Sequence, residues 1–83
     1  MANMEALNKL TPRQQEIALL VSEGWEDKLI SHRLGVVQET IKTHLMRIYA
    51  VFGLRNRTQL AYLVLTDKTP PSLVRNSAKV THG

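Results

Sequence analysis

At 83 residues, 43% hydrophobic but only 5% aromatic, the chain has room for one small core made of Leu, Ile, Val and Ala. It has no cysteine for a disulfide or a thiolate zinc site, no apolar run near the roughly 18 residues of a membrane span, and no signal-peptide pattern in MANMEALNK, so a soluble cytoplasmic protein is expected. Its net charge of +4 is lopsided, −3 over residues 1–27 and +7 over residues 28–83, which points to a polyanion partner, nucleic acid before membrane.

Residues 1–10 read as an N-terminal arm. Thr11-Pro12-Arg13-Gln14 then combines an N-cap threonine, a proline at the first helical position and a glutamine that can reach back to the cap, so a helix is predicted over about 12–23. Ile17, Leu20 and Val21 give it an apolar side. Gly24 stops it, and Trp25 falls where a hydrophobic residue folds back on Leu20. A short helix over about 27–34 follows, with Ile30 and Leu34 inward, Asp27 either as its N-cap or as a first-turn acid, and Gly35 at its end.

The third predicted helix, about 38–52, sets Ile41, Leu45, Ile48 and Phe52 on one stripe and Lys42, Thr43, Met46, Arg47 and Ala50 on the other, with Glu39 as its only acid. Gly53 ends it. The fourth, about 57–66, begins at the N-cap Asn56; Leu60, Ala61, Leu63, Val64 and Leu65 cover roughly 200° of it, about twice the arc that one small core needs. That surplus is a candidate interface. Residues 67–83, with paired prolines and no period, read as a flexible basic tail.

A short helix, a tight turn at Gly35-Val36-Val37 and a longer helix with a basic outer side spell a helix-turn-helix, in which the second helix enters the major groove of duplex DNA. Side-chain chemistry assigns roles within it. Lys42 and Arg47 can donate to guanine or phosphate, Thr43 can exchange a hydrogen bond, and Met46 suits thymine methyls. Arg55 and Arg57 read as backbone clamps, and His44 either packs against a neighbouring helix or contacts phosphate.

The stretches LTPRQQEIALLVSEG (10–24), DKLISHRLGV (27–36) and TIKTHLMRIYAVFGLRNRTQLA (40–61) resemble the LuxR-type helix-turn-helix domain of quorum-sensing regulators, NarL-like response regulators and GerE. The resemblance implies an all-α, four-helix domain over 11–66 that regulates transcription. It implies base reading by Lys42, Thr43 and Met46, backbone contact or orientation around Lys28, His44 and Arg57, and a homodimer through the fourth predicted helix on paired half-sites. With double-stranded DNA as the partner, RNA polymerase is a further candidate, and the protein is expected at the nucleoid.

Several positions depart from the family pattern. Glu26 and Val37 stand where the family caps its helix-turn-helix helices with Ser, and a lost N-cap typically costs about 1 kcal/mol. Gln14, Ala18 and Val51 replace the usual acid, Leu and Lys.

No catalytic constellation, cofactor motif or metal-ligand spacing is present. His32, His44 and His82 lack any ligand pattern. The rival reading is a module that docks another transcription regulator or polymerase through Leu60, Leu63 and Val64. The natural-looking start at Met1 suggests a stand-alone regulator.

Overall fold

Thr11 does what its neighbours dictate. In the computed structural model, which describes residues 4–70, its hydroxyl oxygen accepts the Gln14 N–H (3.2 Å) while the Gln14 side chain accepts the Thr11 N–H (3.1 Å). Five helices result: α1 (Met4–Leu7), α2 (Pro12–Ser22), α3 (Asp27–Leu34), α4 (Gln38–Phe52) and α5 (Arg57–Thr66). Among the described residues there is no strand. The last four helices match the sequence reading within one residue at each end.

The stops are equally local. Gly24, Gly35 and Gly53 all take positive φ after α2, α3 and α4, a conformation that costs a side-chain-bearing residue about 1 kcal/mol or more. Behind Gly24 the Trp25 N–H reaches the Leu20 carbonyl at 3.1 Å and the Gly24 N–H reaches Val21 at 2.9 Å, the two bonds of a Schellman cap.

The core is aliphatic, as the composition requires. Ile17, Ala18 and Val21 of α2 meet Ile30 of α3, Ile41, Leu45 and Ile48 of α4, and Leu60, Leu63 and Val64 of α5. α2 packs on both α4 and α5, while α3 packs on α4.

Residues 4–7 of the arm are helical, and Ala6, Leu7 and Leu10 belong to the core. α1 lies against α5, tied by the Asp67 carboxylate, which accepts the Ala6 N–H at 2.7 Å. Asp67 itself caps α5 in the left-handed conformation (φ 60°) that Asp tolerates better than most residues. α1 and α2 cover part of the broad apolar arc of α5 and leave Leu65 51% exposed. Leu60, Leu63 and Val64 are therefore 0%, 8% and 1% exposed and offer no surface to a second copy or to another protein. The side of α5 that remains open carries Thr58, Ala61, Tyr62 and Leu65. Of the expected tail, residues 71–83 lie outside the described residues.

Candidate nucleic-acid interface

The turn between α3 and α4 fixes the relative pose of the two helices. Gly35 (φ 71°) lets the Val36 N–H return to the Ser31 carbonyl at 3.0 Å, and Val37 then leads into α4 with extended backbone. Neither Glu26 before α3 nor Val37 before α4 provides a side-chain cap.

α4 divides cleanly around its circumference. Ile41, Leu45 and Ile48 are buried, with Phe52 half-buried below them. At 100° per residue the opposite stripe is Glu39, Lys42, Thr43, Met46, Arg47 and Ala50, and all six are exposed. Met46 is 70% exposed, too open for a core-filling role. The Thr43 hydroxyl donates to the Glu39 carbonyl at 3.0 Å, so its proton is committed to the helix and its oxygen lone pairs and methyl are what it can offer a ligand.

The residues expected to flank this stripe divide into two groups. Lys28 and Arg55 are exposed cations, and the Arg55 N–H is held by the Gln59 side chain at 2.7 Å. His44 is half-buried; its Nδ1 is enclosed without a hydrogen-bond partner.

Arg57 is half-buried and engaged by partners within the chain. One guanidinium nitrogen donates to Asp27 Oδ1 at 2.6 Å and another to the Trp25 carbonyl at 2.5 Å. This joins the start of α5 to the uncapped start of α3. Arg33 lies over the Trp25 ring, 5.3 Å from its centroid, and closes the same corner. Burial pushes the Tyr49 hydroxyl above its ordinary pKa; Arg57 pulls it down and Asp27 pushes it up. Sequence reasoning missed this brace because its partners stand 30 residues apart. The signal available was an acid in the first turn of a helix whose cap was missing.

Among the described residues no group of His, Asp and Glu is arranged to hold a metal ion, and no helix is long and apolar enough to cross a membrane.

Residues 8–64 match the family described as "Bacterial regulatory proteins, luxR family". The chain is 35% identical over 74 residues to the two-component response regulator PprB of Pseudomonas aeruginosa, a match covering 89% of this chain and 26% of that protein. It is 33% identical over 62 residues to the nitrate/nitrite response regulator protein NarL of Escherichia coli K12, covering 75% of this chain and 29% of NarL. The monoamine regulon transcriptional regulator of Klebsiella aerogenes is 43% identical over 51 residues, 61% of this chain and 22% of that relative. The chain thus spans less than a third of the length of each of these relatives.

Proposed function

The chain belongs to the luxR family of bacterial regulatory proteins, and from that membership we propose that it is a sequence-specific double-stranded DNA-binding regulator of transcription whose α4 reads the major groove. The observation that carries this is the exposed stripe of α4, backed by a fully buried one. A helix anchored on one side by Ile41, Leu45 and Ile48 is a rigid edge, and the groove is wide enough to admit it. Lys42 and Arg47 supply donors for guanine O6 and N7, while Thr43 and Met46 supply apolar contact for thymine methyls. Lys28 and Arg55 are exposed cations suited to phosphate, and His44 stands half-buried behind the reading edge. Arg57 acts as the brace that holds α3, and with it the turn, in place.

Two copies on paired half-sites fit the symmetry of such modules. Their contact would use the open side of α5, Thr58, Ala61, Tyr62 and Leu65, rather than the three residues sealed in the core. A duplex partner sets the protein at the nucleoid in the cytoplasm. The burial of Leu60, Leu63 and Val64 takes those three residues out of the rival reading as a docking module, and what supports DNA reading over it is the exposed stripe of α4.

Selection of bound duplexes from a random pool tests the proposal. An enriched motif, repeated with two-fold symmetry at a fixed spacing, is expected. A pool that stays random, together with no salt-dependent binding at micromolar protein, overturns it.

A further inference from the structure

Glu39 is the one carboxylate on the outward stripe of α4. It stands one turn ahead of Lys42 and Thr43 and two ahead of Met46, exposed, and its side chain is in no ion pair or hydrogen bond among the described residues. An unpaired acid on the leading edge of a helix that faces a polyanion repels every phosphate it nears. A base-edge donor that meets it offsets that repulsion.

Major-groove chemistry supplies few donors. Guanine shows two acceptors at its edge and thymine an acceptor and a methyl; only the amino groups of cytosine N4 and adenine N6 donate. Adenine sets the N7 acceptor beside its amine, which opposes a carboxylate, whereas cytosine's own edge carries the amine alone. Recognition helices lead with their N-terminal residues, where Glu39 lies. We infer that Glu39 is a specificity-determining residue that accepts a hydrogen bond from the N4 amino group of a cytosine in each half-site. This rests on the proposed entry of α4 into the groove. The Thr43 hydroxyl is held by the Glu39 main-chain carbonyl, so the two residues are neighbours one turn apart on the same stripe.

An acid in a first turn also suits the helix dipole, but that role is indifferent to DNA sequence. The full chain and its Glu39→Ala and Glu39→Gln variants are therefore each put through selection from random duplexes. Anisotropy titrations follow on the selected duplex and on one with the assigned C·G pair changed to T·A. The wild-type chain is expected to lose roughly 10-fold in affinity on that change. Glu39→Ala should lose the preference at that pair, keep the rest of the motif, and bind random duplex more tightly. Glu39→Gln should no longer favour cytosine there. If Glu39→Ala selects the unchanged motif, or if the base it controls is not cytosine, the inference is overturned while DNA reading by α4 stands. If the wild-type chain enriches nothing, the reading of α4 itself falls, and the role of Glu39 with it.

Discussion

Arg57 and Lys42 are both cations on a basic domain, yet their surroundings predict opposite behaviour. Lys42 is exposed on the outward stripe of α4, one turn beyond Glu39. Lys42→Ala is expected to cost about 1–3 kcal/mol on the selected duplex and to relax preference at one base pair, measured by titration against single-base variants. Arg57 is tied at both ends of its guanidinium to Asp27 and the Trp25 carbonyl. Exposed pairs contribute up to about 1 kcal/mol, and here the pair also holds a helix start that no side chain caps. Arg57→Ala and Asp27→Ala should each lower thermal stability, and the double variant should lose less than the two losses added. The slope of log affinity against log salt should stay as in the wild-type chain. A slope shallower by about one would make Arg57 a phosphate contact instead.

At the scale of elements, the punctuation explains why so much of the fold was legible. Thr11 with Gln14, Asn56 with Gln59, and glycines at 24, 35 and 53 are chemical stops and starts whose hydrogen bonds form within a few residues of chain. The outward stripe of α4 was legible for the same reason, since a period of 3.6 places Lys42, Thr43, Met46 and Arg47 opposite Ile41, Leu45 and Ile48 without reference to any other element. What escaped was non-local. A helix of four residues carries no period, so α1 could not be read from its own sequence, nor could the part of the apolar arc of α5 that it covers. The two uncapped starts give a prediction of their own. Val37→Ser and Glu26→Ser restore an acceptor for orphan N–H groups, and each should raise unfolding free energy by about 0.5–2 kcal/mol in urea melts with an unchanged m-value.

For the whole molecule, stability depends on α1 as a lid over α5. Leu7 and Leu10 belong to the same core as Leu60, Leu63 and Val64, and deleting them uncovers apolar surface. A chain lacking residues 1–10 should melt at a lower temperature and self-associate, seen by circular dichroism and sedimentation velocity. Leu7→Ala alone should cost about 2–5 kcal/mol, as large-to-small changes at a fully enclosed site do. An unchanged melting temperature on truncation would mean that the core of α2, α4 and α5 is self-sufficient.

Ala6 and Asp67 are hydrogen-bonded neighbours, so the backbone enters and leaves this body through a single doorway. That doorway lies beside Phe52 and Leu54, at the far end of α4, about 15 Å along its axis from Lys42 at 1.5 Å per residue. Both ends of the described chain are thereby pinned at one corner, away from the exposed stripe of α4.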